Sequence, residues 1–196
     1  MKDLAKFVQN LENKGYSVTV CDTKEDACLY LDGQIDGESV GFGGSMTLKE
    51  LGIYPMLATH NDVKWHWEEG VSAPDTMGKK VYLSSVNGVS ESGEMVNIDG
   101  SGNRVASTIY GPERVYFVIG ENKIAKDLEG AIWRARHIAS PLNAKRLSRK
   151  TPCAKLGDKC YDCNSPERIC RSLVVHWCAS GGVQSEVVLV REELGY

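Results

Sequence analysis

The sequence predicts an α/β protein built on a mostly parallel, open β-sheet flanked by helices. Three observations support this class. Segments with helical apolar periodicity alternate with short apolar segments along the 196 residues. Two of the short segments, KKVYLSS and ERVYFVIG, are rich in valine and aromatic residues, as strands covered on both faces usually are. A glycine-rich turn joins the strand and helix predicted in ESVGFGGSMTLKELGI.

The chain begins with a predicted helix, strand and second helix. Leu4, Phe7 and Leu11 recur at helical spacing, and Gly15 is placed to end that helix. YSVTVC alternates as a strand does, and TKEDACLYL predicts a short helix with Thr23 as its N-cap.

The last elements are a long helix and a pair of strands. NKIAKDLEGAIWRARHIASP predicts the helix, which Pro141 is expected to end. RSLVVHWCASGGVQSEVVLVREEL predicts a C-terminal β-hairpin around Gly181 and Gly182. We therefore expect a single domain over residues 1–196 that includes a cysteine-rich, metal-binding segment at 151–170.

Composition narrows the class of partner and the compartment. The net charge is only −3 and charges of both signs are interleaved, so no nucleic-acid surface is expected apart from a short basic run between residues 145 and 150. The first residues, MKDLAKFVQNLENKG, lack the apolar run of a signal peptide, and no window approaches the ~20 apolar residues that span a bilayer. We expect a cytoplasmic protein with reduced thiols and no membrane or nucleic-acid partner.

Four cysteines lie close together in TPCAKLGDKCYDCNSPERIC: Cys153, Cys160, Cys163 and Cys170. Seven cysteines in all, an odd number, fit a disulfide framework poorly. Four thiolates suit either a tetrahedral zinc ion or a [4Fe–4S] cluster, and the spacing alone does not decide between them. We expect the other three cysteines to be buried as small apolar groups. They are Cys21, Cys28 and Cys178.

The glycine turn is a candidate anion site. Gly43 and Gly44 follow a predicted strand, and Ser45 or Thr47 opens the next helix, whose free N–H groups would face a ligand. The alternative is a tight turn followed by a capping box of Thr47 and Glu50.

A second polar stretch, VNIDGSGNRVA, supplies Asn97, Asp99, Asn103 and Arg104, which are side chains that hold hydroxyls and carboxylates in pockets. The alternative is a pair of ordinary turns, because Asn, Asp and Gly are frequent in turns.

Two histidines in THNDVKWHWEEG are weak candidates for a general acid or base. His60 and His66 stand beside Trp65 and Trp67, so the alternative is an aromatic packing patch with a hydrogen-bonded histidine.

Taken in order, GFGGSMTLKELGI, SSVNGVSESGEMVNIDGSGNRVA and GPERVYFVIGENKIAKDLEGAI resemble the LUD domain of lactate-utilisation proteins, in particular a short single-domain branch that also carries the cysteine segment. The resemblance implies a NagB/RpiA/CoA-transferase-like fold. It implies that the glycine turn and the Asn/Asp/Arg stretch face one anionic ligand across a cleft. It also favours an iron–sulfur cluster over zinc, because LUD proteins work beside iron–sulfur modules.

The first functional expectation is therefore an oxidoreductase component in the oxidation of lactate or a related organic acid. Such a component would work with a redox partner protein. A homo-oligomer is also possible. An isomerase or transferase acting on a phosphorylated or acyl substrate, with a structural zinc, is the alternative. A non-catalytic binding module is the third. No dinucleotide fingerprint is present, because Met46 occupies the position of the last glycine, so NAD is not expected.

Overall fold

The computed structural model describes residues 3–196 and confirms the α/β class, with a six-stranded, all-parallel sheet at its centre. In spatial order its strands are β1 (Ser17–Cys21), β10 (Gln184–Val190), β7 (Arg114–Gly120), β4 (Val81–Ser84), β2 (Ser39–Phe42) and β3 (Asp62–Trp65).

A second, mixed sheet contains four short strands. In spatial order they are β8 (Ile124–Ala125), β5 (Gly88–Ser90), β6 (Met95–Asp99) and β9 (Ser172–His176). Strand β6 is antiparallel to both β5 and β9, whereas β5 and β8 are parallel.

The predicted C-terminal hairpin is wrong, although both of its strands exist. Strand β9 lies at the edge of the mixed sheet, while β10 lies inside the parallel sheet between β1 and β7. The physical reason is burial. Residues 187–190 are apolar at every position and all are buried, so this strand needs cover on both faces. Leu173 in β9 is exposed, as an edge position allows.

Helices flank the parallel sheet. They are α1 (Leu4–Asn13), α2 (Lys24–Gln34), α3 (Met46–Leu51), α4 (Tyr54–Leu57), α5 (Asn103–Ser107), α6 (Leu128–Arg134), α7 (Ser140–Arg146) and α8 (Pro152–Leu156). Thr23 caps α2 as predicted, in a reciprocal capping box with Asp26. Gly15 follows α1 with φ +85°, which suits the end of a helix.

Pro141 does not end the long helix as expected. A π-helical turn, Ala135–Ala139, follows α6, and α7 then continues the path. Pro141 follows this π-helical turn, and the local departure from the α-helical hydrogen-bond pattern accommodates its missing N–H group without ending the helix.

The core has a layer on each face of the parallel sheet because its strands alternate. Val115, Phe117 and Ile119 of β7 pack with α1 and the mixed sheet, whereas Tyr116 and Val118 pack on the side of α2 and α3. Helix α6 covers the other face of the mixed sheet. Strands β2, β4 and β7 are parallel neighbours, so their carboxyl ends lie together at one edge of the sheet.

Cys21 and Cys28 are buried as expected, but the expectation for Cys178 is wrong. Cys178 is exposed because it follows the edge strand β9 in a turn outside the core. Within residues 3–196, none of the helices has the length and apolar character needed to cross a membrane.

Candidate functional site

A cavity of about 330 Å³ opens at the carboxyl ends of β2, β4 and β7. This is where parallel α/β sheets bind ligands, and the volume falls within the usual range for small-molecule sites. The lining comes from the glycine turn, the loop after β3, the ends of β4 and β6, the turn after β7, helix α7 and the C-terminal tail.

Lys123 lines this cavity although its side chain is only 3% exposed. Its Nζ donates to Thr47 Oγ1 at 2.7 Å, to Ser85 Oγ at 3.2 Å and to the Val86 carbonyl at 3.0 Å. All three acceptors are neutral, and no carboxylate among residues 3–196 bonds to this ammonium group. A buried cation held only by neutral groups attracts an anion to the space in front of it.

Burial lowers the pKa of Lys123 to about 7, and the positive charges of Arg134 and Arg104 act in the same direction. Glu50 opposes them. The change of charge of Lys123 therefore lies far below the range usual for a lysine. A bound anion would favour the charged form.

Hydrogen bonds fix the groups around Lys123. Ser85 Oγ donates to Thr47 Oγ1 at 3.2 Å, and Thr47 in turn donates to the Leu194 carbonyl at 3.3 Å. Arg134 holds the following stretch of the tail by donating from Nη1 to a main-chain oxygen of Tyr196 at 2.9 Å. The network thus joins the first turn of α3, the end of β4 and the C-terminal tail around one amino group.

The glycine turn is in the predicted place, but its residues have different roles. Gly44, Ser45 and Thr47 line the cavity, whereas Gly43 packs beneath Arg104, whose Cγ would lie 3.0 Å from a Cβ at that position. Ser45 caps α3 by accepting from the Leu48 N–H at 3.3 Å. Thr47 lies inside the helix, so the alternative capping box of Thr47 and Glu50 is not formed.

Asp99 and Arg104 line the opposite wall, together with Asn103. Asp99 Oδ1 accepts from two backbone N–H groups of the turn that follows, at 3.1 and 2.9 Å. Its Oδ2 lies 3.4 Å from Arg104 Nε. Asp99 therefore shapes the turn and orients the guanidinium.

Asn97 stands behind this wall and does not line the cavity. It is fully buried, and its Oδ1 accepts from Arg104 Nη1. Arg104 Nη2 also donates to the Ile98 carbonyl at 2.8 Å. Most donors of Arg104 are thus used within the protein and its charge is paired with Asp99, whereas the charge of Lys123 has no carboxylate partner among residues 3–196.

The two histidines separate in the structure. His66 lines the cavity against Gly44, and burial, followed by the charge of Arg146, lowers the pKa of its imidazole. His60 lies outside the cavity and bonds to Asp32 and Asp36 at 2.9 Å each, which raises its pKa. His60 therefore belongs to a surface ion cluster and does not reach the site.

All four cysteines of the cysteine-rich segment line one small apolar cavity of about 10 Å³. Two of their sulfur atoms have polar contacts: the backbone N–H of Asp162 donates to Cys160 Sγ at 3.3 Å, and Thr151 Oγ1 shares a hydrogen bond with Cys153 Sγ at 3.3 Å. Across the part of the chain that the structure describes, no group of three His, Cys, Asp or Glu side chains is arranged around a single metal ion.

The cysteine cavity and the large cavity share a wall. Ser140 and Ile169 line both of them. The Arg171 N–H donates to the Asp99 carbonyl at 3.0 Å, and a Cβ at Gly100 would lie 2.9 Å from the Ile169 carbonyl. The cysteine-rich segment is therefore attached directly to the polar wall of the large cavity.

Sequence reasoning missed Lys123 and the role of Arg146. Lys123 falls in a segment read as the start of a helix, but a signal was available, because it comes three residues after a buried parallel strand. In the sequence, Arg146 belongs only to a short basic run. Its place in the cavity depends on how α7 packs.

The LUD-domain model matches residues 4–190, nearly the whole chain. The chain belongs to the LUD-domain family. Among solved structures, a DUF162 family protein from Deinococcus radiodurans superposes with a TM-score of 0.55 over 95% of this chain and 94% of its own, at 13% identity. At that identity the likeness concerns the fold of this LUD domain. No curated protein matches the sequence closely enough to count as a relative.

Proposed function

We propose that this LUD domain binds a small carboxylate or phosphorylated organic acid in the large cavity and acts as a component of its oxidation. The observation that carries the proposal is the ammonium group of Lys123. It is buried at the cavity, bonded to neutral groups alone and adjacent to space large enough for a ligand.

The charge of the lining supports an anion as the ligand. Lys123, Arg104, Arg146 and Arg149 line the cavity, and Asp99 is the acidic side chain among its lining residues. Asp99 is already paired with Arg104. The remaining positive groups lie in surroundings partly withdrawn from water, where charges interact more strongly than in bulk solvent.

The cysteine-rich segment supports the redox part of the proposal. Cys153, Cys160, Cys163 and Cys170 would hold a [4Fe–4S] cluster, because four free thiols are the ligand set of such a group. In the structure these sulfur atoms are not gathered around one point, so binding would have to draw the segment together. When bound, the cluster would supply one-electron transfer.

Nearby cations would balance the negative charge of the thiolates. Arg136 Nη2 lies 4.0 Å from Cys160 Sγ. Arg168 positions the segment by donating to the carbonyls of Cys163 and Cys170 at 2.9 and 2.8 Å.

The common wall of the two cavities would keep the substrate close to the electron acceptor in an oxidation. Ile169 and Ser140 line both, so an organic acid near Lys123 would lie one layer of residues from the cysteines. Oxidation of a hydroxy acid to an oxo acid releases two electrons and two protons. A one-electron centre must pass those electrons on singly, so the proposal includes a redox partner protein that is itself a one-electron carrier.

Isothermal titration with L-lactate and with inorganic phosphate tests the anion site. We expect Lys123→Met to weaken the affinity for both by about tenfold or more, because the anion would lose its attraction to an unpaired positive charge in surroundings of low dielectric constant. Lys123→Gln keeps a polar side chain without the charge and should lose affinity to a similar extent.

The matched control is Lys126→Met, which removes the same charge from an exposed residue outside the cavity and should leave the affinities unchanged. Wild-type affinity in folded Lys123 variants, checked by circular dichroism and melting temperature, would contradict an anion site at Lys123.

A further inference from the structure

Arg146 lies at the mouth of the large cavity, where neutral neighbours hold its guanidinium in place. Its central carbon lies 4.7 Å from the centroid of the Trp67 ring. Its Nε and Nη2 donate to Asn143 Oδ1 at 3.0 and 2.8 Å. These contacts leave the Nη1 donors for a ligand.

The stack beneath Arg146 reaches into the core. Trp67 stacks on Trp65, with ring centroids 4.9 Å apart and an angle of 24° between the planes. Trp65 is 5% exposed and belongs to the core cluster. Arg146 is therefore an exposed cation with an anchored position, and no carboxylate between residues 3 and 196 forms an ion pair with it.

Two of the cations that line the cavity are thus held in place without a carboxylate partner among residues 3–196, the buried Lys123 and the exposed Arg146. Lys123 is buried, whereas Arg146 is exposed, and both line the same space of about 330 Å³. A three-carbon hydroxy acid occupies on the order of 100 Å³, given about 30 Å³ for one water molecule. Such a ligand would fill only part of the cavity and would offer one charge to two separated cations.

We propose that the ligand of this cavity carries two separated negative groups, one received at Lys123 and the other at Arg146. A dicarboxylate and a phosphorylated carboxylate share this chemistry, since guanidinium groups bind both carboxylate and phosphate oxygens. The inference rests on the proposed anion-binding function and narrows its substrate class.

Calorimetric titration with three probes tests the inference: L-lactate, which has one anionic group, and succinate and phosphoglycolate, which have two. We expect at least one of the two-group probes to bind about tenfold or more tightly than lactate, the gain of one charge-assisted hydrogen-bonded contact. The preferred probe identifies the second group as carboxylate or phosphate.

Arg146→Met should reduce the affinity of the preferred probe to the level of lactate and leave lactate within about twofold of its wild-type value. Arg146→Lys, which keeps the charge but loses the planar guanidinium, should give an intermediate affinity. The matched control is Lys145→Met, which removes a charge from the same helix at an exposed position outside the cavity.

Equal affinities for all three probes, or equal effects of Arg146→Met and Lys145→Met, would contradict the proposal that the ligand carries a second anionic group. The proposed function would still stand if Lys123→Met weakened lactate binding. If Lys123→Met changed the affinity of none of the probes, the anion site itself would be wrong, whatever the result at Arg146.

Discussion

Lys123 shows how one residue can define a site through its surroundings. Its ammonium group has three hydrogen-bond donors, and the structure supplies three neutral acceptors at 2.7–3.2 Å. Hydrogen bonding is therefore satisfied, but the charge is not balanced by a carboxylate. The resulting drop of the Lys123 pKa to about 7 places its change of charge in the physiological range.

The first prediction concerns pH at this residue. Carboxylate affinity should be greatest below pH 7, where Lys123 is protonated, and should fall by up to about tenfold per pH unit above that value. Lactate stays ionised throughout, so its own titration does not contribute. Titration in buffers of different ionisation enthalpy should show proton uptake on binding near pH 7 and above.

Lys123→Gln should abolish both the pH dependence between pH 6 and 9 and the proton uptake. A wild-type affinity that is constant over this interval would show that the charge of Lys123 does not govern binding.

Among the elements, the cysteine-rich segment depends most on contacts outside regular structure. Apart from the short helix α8, residues 151–170 form no helix or strand, and Arg168 bridges their backbone through two carbonyls. The segment ends where Arg171 bonds to the carboxyl end of β6. A bound inorganic centre would connect its two halves more firmly than these hydrogen bonds do.

The second prediction concerns the metal content of this element. Protein purified without oxygen should be brown, with iron and sulfide in equal amounts near four per chain. Cys163→Ser should lose most of the iron and the broad visible absorbance, because it removes one thiolate ligand. Arg168→Met should retain the thiols but bind the cluster less well, because the two backbone carbonyls lose their shared donor.

Cys178→Ser is the matched control, since Cys178 is exposed and lies outside the segment. If the protein is colourless and contains one zinc ion, the four thiols form a structural zinc site instead of a cluster site. That result would favour an isomerase or transferase. Absence of both metals from anaerobic samples would refute metal binding by these thiols.

On the scale of the whole molecule, the C-terminal tail closes the site. Leu194 is buried and its carbonyl accepts from Thr47, while the Gly195 N–H donates to Glu50 at 2.6 Å. Gly195 has φ +64°, and a Cβ there would lie 2.5 Å from Thr47 Oγ1. The tail can therefore reach the Lys123 network only because this residue has no side chain.

The third prediction follows from this close approach. Gly195→Ala should displace the tail, admit water to Lys123 and raise its pKa toward the ordinary value for lysine, so that the fall of lactate affinity with rising pH begins at a higher pH. The pKa change can be followed by NMR of the lysine amino group. Gly37→Ala is the matched control, because Gly37 has φ +63° and no atom within 4 Å of the added Cβ.

Both variants should lose about 1–2 kcal/mol of stability to the left-handed backbone conformation. Only Gly195→Ala should alter the site. Identical lactate affinities and lysine resonances in the two variants would show that the tail does not control Lys123.

The elements and local motifs of this protein can be predicted from its amino-acid order. Apolar alternation identified the strands, Thr23 and Gly15 identified helix boundaries, and the strand–glycine–helix pattern located one wall of the cavity. The cysteine spacing located the second candidate site. These features depend on residues close together in the chain, so periodicity and turn chemistry are sufficient to reveal them.

Strand pairing and the contacts between distant side chains became known only from the folded chain. It moved β10 into the parallel sheet, excluded His60 from the cavity and brought Lys123, Arg146 and Ile169 to one place. These outcomes depend on burial of two-sided strands and on packing between segments far apart in sequence. No local pattern encodes such contacts, because the free energy of burying a strand or a lysine depends on what covers it.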